Sequence, residues 1–464
     1  MTGRSTVTRL EVLRAWRDPV MRVMLVLFAI AAGYAAVTGG QWAQARQEAV
    51  TTAVAEADTI MADRRKAFVE TLTKGEEPKF GLIYATALPF RAGLPNAPLA
   101  ALSTGQAEGY PAAANIAPFV DPWAIFDAHA TGLESPALLA AGRFDLAFVI
   151  VVLLPLLLIA ATYDFWSRDV ENGSARFQLA QPVRPARLIL TRAAVRAGGL
   201  LIATTTLVIA WLVAAGGDDV GGLALTALVI LAYGAFWIAL CILINLLVRA
   251  STTAALTCGT AWLALVVLVP AACAALADLA APPPSAMAYI NAVRAAGLEV
   301  RAANRAAARV AATADSGRAY PASLWHSRGE IQQRDARLGP IHRTYADGWA
   351  RHRAIENTLS LLSPAVIAQG ALDRIAGTGA DRALAFQDQA RAFAGDVRRL
   401  AFGWMDEERL MTLADYDRPL ARFVFAEPNR SGPLTRDLLL LLGFTGLLLA
   451  SATLRLRRGT AQLL

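Results

Sequence analysis

The sequence predicts an all-α fold: a polytopic membrane protein with six transmembrane helices and a mainly helical extracytoplasmic domain. Three observations predict it. Of 464 residues, 56% are hydrophobic and only 17% are charged, whereas a soluble chain runs to roughly half apolar and about a quarter charged. Six runs are long and apolar enough to cross a bilayer, which takes about 20 residues of helix. Arginines gather beside alternate ends of those runs, and an excess of basic residues in short flanking loops marks the cytoplasmic side.

In chain order, residues 1–19 read as a cytoplasmic amphipathic elbow helix, with Leu10, Leu13 and Trp16 on its apolar arc and Arg17-Asp18-Pro19 as its break. A first span follows at 20–37. Arg4, Arg9, Arg14, Arg17 and Arg22 precede or enter it, against Arg46 alone soon after, so the N-terminus is expected inside. Residues 39–143 form the first outer segment. It opens with a helical stripe (Val50, Val54, Ala57, Met61, Phe68, Leu72) that Gly75 and Pro78 end, and continues as a Pro-rich stretch read as loops. Span two is 144–163, with Asp145 at its outer end and Pro155 as a kink.

A cytoplasmic loop, 164–197, leads to span three at 198–215. Span four is 223–248, and Arg249-Ala250-Ser251 turns the chain into span five at 253–279, kinked at Pro270. The second outer segment, 280–437, holds two strong stripes. Tyr345, Trp349, His352, Ile355, Leu359 and Leu362 form one, ending at Pro364; Phe386, Ala390, Phe393, Val397, Leu400 and Trp404 form the other. Each spacing is that of an amphipathic helix in need of a partner. The simplest packing sets the two on each other and on the long helix of the first outer segment. Span six, 438–454, leads into a cytoplasmic tail, 455–464, that begins with Arg455, Arg457 and Arg458.

Several functional classes are disfavoured. The net charge of +7 is that of positive-inside loops, which are too short for a nucleic-acid-binding domain, so no nucleic acid is expected. The lysines, Lys66, Lys74 and Lys79, all lie in the first outer segment, so no P-loop Lys is available to hold ATP phosphates. No catalytic residue, metal ligand set or cofactor is expected in this chain. His342 and His352 with Glu330 or Asp347 match no standard metal spacing, and His352 reads as a hydrogen-bonded core histidine. Cys241, Cys258 and Cys273 fall inside apolar runs and read as buried thiols. At membrane depth the main polar groups are Asn245 and Thr204 to Thr206, whereas ion-coupled transport needs ionisable residues there. Asn245 reads as an interhelical hydrogen bond.

The loop between spans two and three is the most informative stretch. It holds Arg168, Arg176, Arg184, Arg187 and Arg192, a turn at Asn172-Gly173, Ser174 as a helix N-cap, a break at Pro182 and a new helix near Pro185. Glu171-Asn172-Gly173-Ser174, then Gln181-Pro182-Val183, then Arg187 and Arg192, resembles the first cytoplasmic loop of type-2 (ABC-2) ABC exporter permeases, with Ser174 and Arg192 where that family more often has Thr and Lys. Pro98-Leu99-Ala100, Leu102-Ser103-Thr104-Gly105-Gln106 and Tyr110-Pro111 look like motifs of a branch of the family with two large outer segments; no role is assigned to them.

The resemblance implies a permease subunit of an ATP-driven exporter or envelope mechanotransmitter. ATP would be bound and hydrolysed by a separate P-loop ATPase that docks on residues 164–192, with Glu171, Asn172, Gly173, Ser174, Gln181, Pro182 and Arg187 as coupling residues. It also implies dimerisation with a second copy or a sister permease, an envelope protein as partner of the outer domain, and a multi-pass location in the bacterial plasma membrane, among its lipids, with both termini cytoplasmic. The alternatives are a membrane-anchored scaffold or sensor with a helical outer domain and no ATPase, and a membrane enzyme with its site in the outer segments.

Overall fold

Six helices among the described residues are long and apolar enough to cross a membrane, as the hydropathy pattern predicts. The computed structural model describes residues 19–78, 80–126, 144–179, 185–417 and 421–457. The elbow helix and the loop positions Gln181 and Pro182 lie outside them. The bundle has two ends: a loop face, which carries residues 163–179, and opposite it a domain face, which carries the large domain.

The first span does not stop at Gly39. Helix α1, Pro19–Thr73, runs 55 residues without a break, about 80 Å at 1.5 Å per residue. Gly39 serves close packing: a Cβ there would stand 2.3 Å from the Ala101 carbonyl oxygen. Beyond the bundle the stripe of Val50, Ala57 and Phe68 is buried, and Gly75, at φ 68°, turns the chain away. The Pro-rich stretch holds more regular structure than a reading of loops allows. Strands β1, Phe90–Gly93, and β2, Ala113–Ile116, pair antiparallel, with Phe90 opposite Ile116 and Gly93 opposite Ala113.

Span two, α2 (146–162), contains a π-helical turn, Val149–Leu153, immediately before Pro155. Span five, α7 (Ser251–Ala280), repeats the device with a π turn at Ala264–Leu268 before Pro270. A proline has no N–H to donate to the turn below it, and a wider turn relieves the clash of its ring with that turn's carbonyls. The carbonyls left without donors are met from elsewhere. The Tyr233 hydroxyl donates to Val151 O at 2.9 Å and Trp262 Nε1 to Val152 O at 3.2 Å. In the second π turn the N–H of residue 270 would have reached Leu265 O, and the Ser363 hydroxyl takes its place at 2.9 Å.

Between these spans lie α3 (Ser167–Glu171), α4 (Ser174–Leu179), α5 (185–214, which includes a third π turn, Ala194–Gly198) and α6 (Val220–Leu247). Helix α6 is the spine of the bundle, with Tyr233, Trp237 and Ile230 fully buried in one apolar cluster with α2, α5 and α12 (Ser431–Arg457).

The second large segment departs from the expected packing. After Pro282-Pro283-Pro284 the chain rises through α8, Ala286–Thr313, and returns through α9, Ala322–Ser360. The stripe that begins at Tyr345 packs at the foot of this hairpin rather than on the second stripe: Tyr345 stacks on Tyr289 of α8, His352 Nδ1 donates to Ala281 O at 2.8 Å, and Cys273 of span five meets Leu359 O. The stripe lies on the lower end of a helix that descends beside span five, so its partners are there. Helix α11, Ala380–Asp406, instead buries Phe386, Ala390 and Val397 against the β1–β2 sheet. It meets α9 through Arg328–Asp406 and Arg398–Asp335 and around Phe402.

Pro364 does not merely end a stripe. It opens α10, Pro364–Ala376, which Ser363 caps by accepting from Val366 N. Nine of the thirteen residues of α10 are buried, against α2, α6 and α12. Ser363 is level with Leu265, fifteen residues or about 22 Å below the domain-face end of span five. The chain between spans five and six therefore re-enters the bundle instead of staying wholly outside it.

Replacing Tyr233 by Phe should leave Val151 O without a donor inside the apolar core, a loss of about 1–3 kcal/mol. A lowered thermal midpoint in detergent checks this; an unchanged midpoint contradicts it.

Candidate functional site

The loop face is organised by a helix break. Span two ends at Thr162, and four turn residues precede α3, so backbone groups at the break lose their helical partners. Asn245 of α6 supplies them: its Nδ2 donates to Thr162 O at 3.1 Å, and its Oδ1 accepts from Ser167 N at 3.3 Å. This buried side chain is thus an interhelical tie, as its position in the sequence suggests. Phe165 and Trp166, both buried, pack around it with Ala175, Ile189, Ile242, Leu246 and Ala452. The loop rests on its own small apolar core, against spans three, four and six.

Asp169 draws the polar groups together. It accepts from Arg192 at the start of span three, from Gln178 Nε2 at 2.9 Å and from the Ser174 hydroxyl at 3.0 Å. Ser174, read as an N-cap, is instead the first residue of α4, and its hydroxyl donates back to Asp169 rather than accepting from a first-turn amide. Arg192 has a side chain only 11% exposed, so this ion pair is a structural link between α3 and α5. Gly173 makes the turn at φ 74°, a conformation that favours glycine.

Glu171, expected as a coupling residue, lies at the positive end of span five: its Oε2 accepts from Ser251 N at 3.1 Å and from Ser251 Oγ at 2.6 Å. A carboxylate there satisfies amides of the first turn and opposes the helix dipole. Asn172 is exposed at the turn. Arg187 lies near the start of the helix that begins at Pro185.

Sequence reasoning missed Phe177. On α4, where Ala175 is fully buried, Phe177 is 79% exposed, with Arg176 exposed beside it. Its signal was available: a large apolar residue in a short polar helix, two positions from the one that packs inward. Also missed was Asp169, whose partners lie as far as 23 residues away.

The histidines form no ligand set; among the described residues no group of His, Cys, Asp or Glu is arranged to hold a metal. His342 lies between Tyr289 and Asp121, at 2.8 and 3.3 Å, and stacks on Trp123, tying the two large segments together. His352, bonded to Ala281 O, is a core histidine, as its place on the stripe suggests.

A family model described as ABC-2 family transporter protein matches residues 5–459. No curated protein matches the chain.

Replacing Asn245 by Leu should leave both broken helix ends unsatisfied, at on the order of 1–3 kcal/mol each. Amide exchange across 163–171 should then accelerate at least tenfold. Native protection there in the variant would show that Asn245 does not hold the break.

Proposed function

The chain belongs to the ABC-2 family transporter proteins, membrane permease components of ABC transporters, and from that premise we propose that it is driven by a separate P-loop ATPase docked on residues 164–192. The ATPase supplies ATP chemistry, and this chain converts its motion into export or into movement of the large domain. In this reading the loop face is cytoplasmic, both termini are inside, the membrane is the bacterial plasma membrane, and the permease works as a dimer with itself or a sister chain. The Arg-rich loop supports the orientation.

One observation carries the docking proposal: Phe177 stands exposed at the tip of a loop whose base is fixed to several spans. Aromatic side chains are frequent interface anchors, and a rigid mount makes such a tip a lever. Asn172, Gly173 and Ser174 set the course of α4, while Glu171 ties the loop to span five, so force on Phe177 reaches spans two to five together. Gln181, Pro182 and Arg187 complete the docking surface by resemblance to the family's loop.

The variant in which motion passes to the domain is favoured by span five itself. Its foot is held by Glu171. Its upper half is held by α9 at His352 and Leu359, and it leads directly into the α8–α9 hairpin. A displacement at the loop therefore has a helical path to the far side.

Phe177→Ala should weaken ATPase co-purification by about thirtyfold in affinity, the equivalent of about 2 kcal/mol, at normal expression. Photolabelling of the co-purified nucleotide-binding subunit measures it, and undiminished capture would favour the scaffold reading instead. For orientation, single cysteines at Gly75 and Ser316 in a cysteine-free background should label from outside intact cells, and one at Ser174 should not. Labelling at Ser174 would reverse the assignment of the faces.

A further inference from the structure

Helix α8 is held by α9 but poorly covered. Tyr289 bonds His342 and stacks on Tyr345, the Glu299 carboxylate accepts from Arg337, and Asn304 Nδ2 donates to Gln333 Oε1 at 2.8 Å. Yet of its 28 residues only Val300 is buried. Met287, Arg294, Leu298, Arg301, Arg305 and Arg309 follow one another at steps of seven, four, three, four and four. That spacing puts them on one stripe of the helix. All six are exposed, Met287 by 67% and Leu298 by 64%.

The charge on this stripe has no counterpart in the chain. None of the four arginines of α8 forms an ion pair among the described residues, whereas all four of α11 do, with Glu427, Asp388, Asp335 and Asp396. Arg301, Arg305 and Arg309 line a groove of about 570 Å³ with Asn304, Ala308 and Glu330. The groove is far from the membrane. His352 meets the end of span five at Ala281 O. Gln333, which bonds Asn304, lies nineteen residues farther along α9, about 28 Å at 1.5 Å per residue. Charge is screened over about 8 Å at physiological salt, so lipid headgroups beside the spans do not supply the missing anion.

We propose that this stripe of α8 is the docking surface for an acidic amphipathic helix of a second protein. Guanidinium groups one turn apart rise by about 6 Å, the step between carboxylates at every fourth position of a facing helix, and each pair can be bidentate. Met287 and Leu298 lie in the same row as the arginines. A phosphate polymer has nothing to bury against them, whereas the apolar residues of an amphipathic helix do. Docking there adds a third helix to the α8–α9 hairpin and covers the side of α8 that α9 leaves open. The inference concerns the domain alone and stands whether or not an ATPase docks on the opposite face.

Fluorescence anisotropy with the full-length chain in lipid nanodiscs tests this. The probe is a synthetic three-heptad helix with Leu and Glu on one face, and its control is a peptide of the same composition in scrambled order. The helix should bind about tenfold tighter than the scramble, and should weaken about threefold or more between about 50 and 300 mM salt. The combined change Arg301→Glu, Arg305→Glu and Arg309→Glu should lose about tenfold in affinity, and a helix with Lys in place of Glu should restore it. Leu298→Ser should lose about threefold. Equal affinity for helix and scramble, full affinity in the triple variant or in Leu298→Ser, or tighter binding of a polyphosphate chain of equal charge overturns the proposal. So does a disulfide between two copies of Leu298→Cys in a cysteine-free background in proteoliposomes, which would assign the stripe to a second copy of this chain. Should the triple variant bind neither helix, the scramble, salt and Leu298→Ser comparisons decide alone.

Discussion

A backbone carbonyl freed inside an apolar bundle must find a donor there, because no water is present to supply one. This constraint explains much of how the structure is tied together. Pro155 and Pro270 each open a π turn, and the carbonyls they leave unpaired are met by Tyr233, Trp262 and Ser363 from other helices. The break after Thr162 is met by Asn245. Each defect in one helix becomes a fixed contact with another. The contacts are directional, so they set register and orientation in a way that apolar packing alone does not.

The result is a bundle fastened at both faces. On the loop face, Asn245, Trp166 and the Asp169–Arg192 pair make α3 and α4 part of the spans. On the domain face, a single turn around Ser103 holds the start of span two and the end of α10. Span five connects the two. Glu171 caps its lower end, Ser363 meets it at the π turn, and α9 descends along its upper half. A helix held at its foot by the loop and along its length by the domain can pass movement between them with little loss.

Much of this was legible in the sequence because the signals are local. Hydropathy marks the spans, the two prolines mark the kinks, and an isolated Asn in an apolar run marks an interhelical bond. What was not legible depends on distant partners. The first outer segment reads as starting at Gly39, but Gly39 lies inside α1 and allows it to pass close to Ala101, 62 positions away. Helix α10 is only thirteen residues long and carries Gln369, Asp373 and Arg374, too short and too polar to register as membrane-embedded. Asp373 is buried, and Gln369 and Arg374 are half-buried, because the turn at Ser103 and Asp437 meet them. Glu171 was legible as a loop acid, but Ser251, its partner, lies 80 positions on. Strands β1 and β2 are four residues each in a Pro-rich stretch, and they form because α11 supplies a face to cover them.

The central claim is that the loop and span five move as one body. It is tested most directly by joining them covalently in the complex with the proposed ATPase. Cysteines replacing Glu171 and Ser251 can be bridged by oxidation or a short bifunctional maleimide, and ATP turnover compared before and after. If the two segments move together, the bridge restores the fixed contact and leaves turnover at the native level. If turnover stops on bridging and returns on reduction of the disulfide, the segments slide past each other during the cycle, and span five is not the element that carries the motion.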